Sequence, residues 1–155
     1  MTLYDEFIHI AKAMNKELNI VPVLYGSLGL ERATTYEFNP QDIDILVPFT
    51  FLDKKWHMLL KTIEELGYVM VDINEHEFRR DDTKIGISFT EDLEQFAEIE
   101  YEALQIVEDN GAKYHSLTIS DYLKVYNKSL VDGYRRSKNN KDHSKIKILK
   151  QLVQK

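Results

Sequence analysis

Apolar and polar positions alternate along the chain with two periods, and their switching predicts an α/β order of elements. Leu3, Phe7, Ile10, Ala11 and Met14 repeat at helical spacing over residues 3–17, and Asn19 closes that stripe. Ile20 to Tyr25 is a short β-branched run that reads as a buried strand ending at Gly26, followed by a short helix from Leu28 to Ala33. Asp42 to Val47, in which polar and apolar residues alternate through Ile45, predicts a second strand. Asp53 to Leu66 places Trp56, Leu59, Leu60, Ile63 and Leu66 on one helical face, with Gly67 as its C-cap. Tyr68 to Ile73 predicts a third strand, and Phe78-Arg79-Arg80, Asp81-Asp82 and Lys84 to Phe89 a hairpin with a charged tip. Gln105 to Val107 and Lys113 to Leu117 flank a turn that contains Asn110-Gly111. Ser120 then reads as the N-cap of a helix from Asp121 to Arg136, and Asn139-Asn140 as a break before a last helix from Lys141.

Composition narrows this picture. The 155 residues, 43% of them hydrophobic, suffice for one core but not for two full domains. The expected organisation is an α/β core over 1–118 with a helical extension over 119–155 packed on it. Cysteine is absent, which excludes disulfides and thiolate-held metal centres. Met1 to Glu6 has no basic region before an apolar run, and no apolar stretch approaches the roughly 18 residues of a membrane span. The expectation is a cytoplasmic protein with no membrane partner.

Charge is uneven. The net charge of −6 divides into −13 over residues 1–134 and +7 over 135–155, so the tail is a cationic arm on an acidic body. Such an arm suits nucleotide phosphates, an RNA, or the acidic surface of its own domain or of a second subunit in a homodimer. The acidic remainder disfavours general nucleic-acid binding.

The candidate chemistry lies at Gly26-Ser27 and Asp42-Ile43-Asp44. Gly26 stands where a strand must turn sharply or approach a ligand, and Ser27 opens a helix whose N-terminal N–H groups attract anions. The period of two turns Asp42 and Asp44 to one face of their strand and Ile43 and Ile45 to the other. Paired carboxylates repel, and their hard oxygens suit Mg²⁺, which takes one or two protein carboxylates and completes its shell with water and phosphate. An ordinary turn before an edge strand with one polar face is the plainer reading of the same residues.

Leu24-Tyr25-Gly26-Ser27-Leu28-Gly29-Leu30-Glu31-Arg32 and Pro40-Gln41-Asp42-Ile43-Asp44-Ile45-Leu46-Val47 resemble the nucleotidyltransferase superfamily. That superfamily spans polymerase-β-like enzymes, antibiotic (lincosamide and aminoglycoside) nucleotidyltransferases and minimal nucleotidyltransferases. The resemblance implies an α+β fold, a mixed β-sheet flanked by helices with further helices at the C-terminus. It also implies Asp42 and Asp44 as ligands of Mg²⁺ (or Mn²⁺), and Gly26-Ser27 as the binding turn for the phosphates of an NTP. A hydroxyl of an acceptor (a small molecule, a protein side chain or a tRNA end) would then attack the α-phosphorus and expel pyrophosphate.

The resemblance further implies a third carboxylate. The minimal branch carries it where this chain has Asp72, while the antibiotic branch carries it on the returning hairpin strand, where this chain has Gly86; Glu98 is a weaker substitute. Arg135 to Lys138, followed by Lys141-Asp142 and a basic helix, resembles the closing element of antibiotic nucleotidyltransferase-like and abortive-infection proteins, which implies Arg135 or Lys141 near nucleotide phosphate. A basic amphipathic helix with Ile146, Leu149 and Val153 turned inward fits the same spacing. The Tyr122/Tyr126 stripe reads as core packing, and the scattered histidines, His76 included, as surface or core residues. Two alternatives stay open: a nucleotide-binding or regulatory relative that lacks catalysis, and an interaction protein that binds no nucleotide.

Overall fold

The computed structural model describes residues 1–131 and 139–153. Its centre is a seven-stranded mixed sheet in the order β3-β4-β5-β2-β1-β7-β6. The strands are β1 (Val23–Tyr25), β2 (Asp42–Val47), β3 (Val69–Asp72), β4 (Glu77–Arg80), β5 (Thr83–Phe89), β6 (Gln105–Asp109) and β7 (Ala112–Ser116). β2 lies at the middle, antiparallel to β1 and parallel to β5. The helices are α1 (Leu3–Ala13), α2 (Gly26–Thr34), α3 (Trp56–Glu65), α4 (Glu91–Ala97), α5 (Ile119–Val131) and α6 (Asn139–Val153). This is the α+β class that the resemblance implies. No described helix is long and apolar enough to cross a membrane.

Strand alternation divides the interior in two. Ile43, Ile45 and Val47 of β2 join Ile85 and Ile87 of β5 against Phe7 of α1 and Leu59 and Ile63 of α3. On the other face Val23 and Leu46 pack with Leu93 of α4, Tyr122 and Val125 of α5, and Ile146 and Leu149 of α6. Asp42, Asp44, Lys84 and Glu77 follow on the same face, toward β4.

Local chemistry explains where the elements begin and end. Thr2 and Asp5 form a reciprocal capping box that starts α1. The helix expected to run to residue 17 becomes a π turn over Met14–Leu18, ended by Asn19 in the left-handed region. Asn110 and Gly111 both have positive φ, 49° and 83°, the geometry that a two-residue hairpin demands. Thr118 rather than Ser120 caps α5: Asp121 N–H donates to Thr118 Oγ1 and Thr118 N–H to Asp121 Oδ2, each at 3.1 Å. α6 begins at Asn139, so the two asparagines form its first turn instead of a break before it.

The hairpin expected to have a charged tip carries a clamp. Arg80 Nη1 donates to Leu66 O at 2.7 Å and Nη2 to Glu6 Oε1 at 3.0 Å, while its guanidinium lies 4.5 Å over the Tyr68 ring. Glu6 also accepts from Tyr68 Oη at 3.0 Å and from Thr83 Oγ1 at 2.8 Å. Burial, then the hydrogen bond to Glu6, pushes the Tyr68 phenol up to about 12. Glu6→Ala strands three donors beneath α1, and an expected cost of about 2–3 kcal/mol follows from unsatisfied part-buried groups. Urea unfolding measures it, and a cost under about 0.5 kcal/mol, the level of an ordinary surface change, would show that water replaces the carboxylate.

Candidate active site

The site is built where β1 ends beside β2. Tyr25 pairs with Asp44 across the antiparallel ladder, so the turn after Tyr25 lies against that aspartate. Gly26 has φ +66°, a backbone conformation that a side chain resists. A Cβ there would collide with the Asp44 carboxylate, which lies directly over the turn. Three residues on, a Cβ at Gly29 would strike the Tyr122 hydroxyl and come within 2.9 Å of Leu24 O, so α2 packs against β1 and α5 with no room to spare.

Asp42 and Asp44 share one face of β2, both half-buried, while Ile43 and Ile45 are buried beneath. Their neighbours on the parallel strand β5 are Lys84 beside Asp42 and Gly86 beside Asp44. Lys84 Nζ stands 3.7 Å from Asp42 Oδ2 and 3.8 Å from Glu77 Oε1. A Cβ on Gly86 would lie 3.3 Å from Asp44 Oδ1, so the Asp44 side chain extends toward the space that this glycine leaves.

Asp72 stands apart from this pair. Register carries a row across the sheet from Asp44 through Gly86 and Glu77 to Asp72, which puts Asp72 three strands away, about 14 Å at ordinary strand spacing. Its carboxylate accepts the backbone N–H groups of Asn74 and Glu75 at 2.9 and 3.1 Å and so shapes the turn into β4. Glu98 is the left-handed residue that ends α4. His76 lies in the turn before β4 rather than on a strand, with its ring 5.2 Å from Trp56. Among the described residues, no group of three or more His, Asp or Glu side chains gathers to hold a metal ion.

The basic tail does reach the site, by a residue that sequence reasoning placed only on a basic helix face. Lys145 of α6 donates to Ser27 Oγ at 3.0 Å, and its ammonium lies 5.3 Å from the centre of the Tyr126 ring. Tyr25, Tyr122 and Tyr126 stack in series with ring centroids 6.4 Å apart at each step, forming a wall from the glycine turn to α6. Tyr122 is fully buried; desolvation first, then Tyr126, Tyr25, Tyr114 and Asp44, pushes its phenol well up, and it stays a neutral donor toward Leu24 O. Arg135 lies outside the described residues. Lys141 belongs to α6, but its side chain is likewise outside them.

The fold is that of the nucleotidyltransferases. Over 98% of its length the chain matches the crystal structure of ANT(2'')-Ia in complex with adenylyl-2''-tobramycin, with a TM-score of 0.57 and 13% identity across 90% of that chain. A solution structure of ANT(2'')-Ia is matched with a TM-score of 0.46 at 16% identity, over 96% of this chain and 90% of that one. No family model matches the sequence. The chain is 61% identical over 154 residues, 99% of both proteins, to the uncharacterized protein YnaI of Bacillus subtilis (strain 168), and it belongs to the same family.

Proposed function

We propose that the chain is a nucleotidyltransferase that moves a nucleoside monophosphate from an NTP to a hydroxyl of an acceptor, with Asp42 and Asp44 as ligands of Mg²⁺ or Mn²⁺. The observation that carries this reading is the Asp44 carboxylate lying over the positive-φ Gly26 turn at the start of α2. Anionic oxygens and backbone N–H groups are thereby neighbours, the arrangement a metal-bound phosphate needs. Two hard carboxylates on one strand face fit the protein's share of a Mg²⁺ shell, with phosphate and water to supply the rest. Bound there, the ion would neutralise triphosphate charge and polarise the α-phosphoryl group.

The chain's own residues then hold and orient. The first turn of α2, with Ser27 and the Lys145 ammonium beside it, supports the β/γ-phosphates. The acceptor oxygen forms a bond to the α-phosphorus as the bond to the bridging oxygen breaks, pyrophosphate leaves, and the hydroxyl proton passes to solvent. The acceptor class remains a small molecule, a protein side chain or a tRNA end.

A second reading has an observation in its favour. On the acid face β5 contributes Lys84 and Gly86, and so no carboxylate of its own, beside Asp42 and Asp44. A nucleotide-binding or regulatory relative without transfer chemistry fits this arrangement, and it would bind NTP without releasing pyrophosphate.

Thermal unfolding with NTP and Mg²⁺ tests both readings at their common root. At about a hundred times Kd, linkage contributes about 2.7 kcal/mol, which raises Tm by about 5–10 °C for a chain of this size. No metal-dependent shift at millimolar nucleotide would refute a nucleotide role. Pyrophosphate release with candidate acceptors then separates the two readings.

A further inference from the structure

We infer that β3 is the contact strand of a homodimer, in which two copies of the chain pair their β3 strands antiparallel about a two-fold axis at Val71 and join their sheets into one. β3 ends the sheet, and among the described residues no strand pairs with its outer side. The backbone N–H and C=O groups on that side therefore stand open as a template for another strand. Side chains add to this. Val69, Val71 and Ile73, within and just after β3, are 66%, 54% and 58% exposed, so three large apolar groups stand in water along five consecutive residues.

Charge points to a second copy as the occupant. From Val69 to Ile73 the chain holds one charged residue, Asp72, on a body that carries −13 over residues 1–134. The Asp72 carboxylate is engaged by the backbone N–H groups of Asn74 and Glu75. Two acidic bodies repel each other, so they meet at least cost along this neutral edge. The opposite edge, β6, ends in Glu108 and Asp109, the kind of charge that guards an edge against pairing. A head-to-tail contact of β3 with β6 of the next copy would meet that charge, whereas β3 against β3 closes on itself, as an isologous contact requires. With the axis at Val71, Val69 of one copy lies opposite Ile73 of the other and Met70 opposite Asp72, so no carboxylate stands against another. β3 has one guarding device, the register shift against β4 between Met70 and Asp72, and neither Lys nor Pro. The shift interrupts an already short ladder, which makes the dimer weak and concentration-dependent instead of obligate.

Sedimentation of the full chain over a concentration series up to about 1 mM, the range in which a small interface associates, tests this. The weight-average mass of the unmodified protein should climb from that of one chain toward that of two. Val71→Lys sets like charges against each other at the axis and should weaken association by about tenfold or more. A cross-link gives a second reading that does not depend on that variant's folding. The chain has no cysteine, so Val71→Cys carries a single thiol, and at the axis two copies would hold it within disulfide reach, with Cα atoms about 4.5–5.5 Å apart. Ile106→Cys, on β6 and 53% exposed, is the matched control. In a glutathione redox buffer Val71→Cys should form covalent dimer severalfold faster than Ile106→Cys. A protein that stays monomeric throughout the series would overturn the inference and leave β3 to a strand from another protein. Association undiminished in Val71→Lys, or equal cross-linking at the two positions, would overturn it by moving the contact elsewhere. No nucleotide or metal enters these measurements, so their outcome is independent of the proposed function.

Discussion

Asp44→Asn is expected to abolish nucleotidyl transfer while leaving the protein folded. Asparagine keeps the shape that fits over Gly26 and the space beside Gly86, so Tm should stay within about 4 °C, equivalent to about 1 kcal/mol for a chain of this length. What disappears is one unit of negative charge facing the metal. A pair of unit charges about 4 Å apart is worth about 4 kcal/mol at an effective dielectric of about 20. At about 1.4 kcal/mol for each factor of ten, the rate should fall about a thousandfold. Pyrophosphate release with a productive acceptor measures the rate, and circular dichroism checks the fold. Asp42→Asn should act in the same direction with a smaller loss, because Lys84 already offsets part of the Asp42 charge. Undiminished turnover in Asp44→Asn would remove this aspartate from the chemistry.

The part of the site that was legible in the sequence is the part that local periodicity determines. Strand alternation alone puts Asp42 and Asp44 on one face, and the β-branched run before Gly26 marks where the chain must turn; the structure has both. Sheet order is not a local property. Asp72 ends a strand that follows a helix, as its local pattern predicts, but β3 lies at the sheet edge, and β4 and β5 stand between it and β2. For the same reason the sequence could suggest Gly86 as a vacant acid position but could not show that Lys84 lies against Asp42. The parallel pairing of β2 with β5 joins segments about forty residues apart, and its register follows from packing of the whole sheet.

Contacts from the tail were legible in kind but not in address. Eight basic residues after position 134 announce a cation for the acidic body. Which one reaches the glycine turn depends on how α6 lies on α5, and the burial of Ile146 and Leu149 turns Lys145 toward Ser27. The expected inward positions Ile146 and Leu149 are buried, the side chain of Val153 lies outside the described residues, and Lys145, just before Ile146, makes the contact seen among the described residues. α4 has its apolar positions, Leu93, Phe96 and Ala97, at helical spacing, but in a helix of only seven residues they span little more than one turn, too short a run to establish a period. The cap of α5 was misplaced by two residues because Thr118 and Ser120 are equally good cap chemistry, and the decision lies with Asp121, spaced to reciprocate only with Thr118.

Gly26→Ala is expected to damage the fold and the site together, which sets it apart from the isosteric acid substitution. An L side chain at φ +66° costs about 1–2 kcal/mol in the left-handed region. The added methyl group also enters the volume of the Asp44 carboxylate, and this cost differs in kind, because relief requires Asp44 to swing off the turn. Tm should therefore fall by about 4–8 °C, and the metal-dependent stabilisation by NTP should be lost even where the protein is fully folded. Gly86→Ala is the matched comparison. Its Cβ would lie 3.3 Å from Asp44 Oδ1 with no positive φ to relieve, so Asp44 needs to give by only a few tenths of an ångström. That variant should keep both its Tm and its response to nucleotide. If Gly26→Ala kept an undiminished nucleotide-dependent shift, phosphate would have to bind away from the β1–α2 turn, and the apposition of that turn with Asp44 would be a packing feature alone.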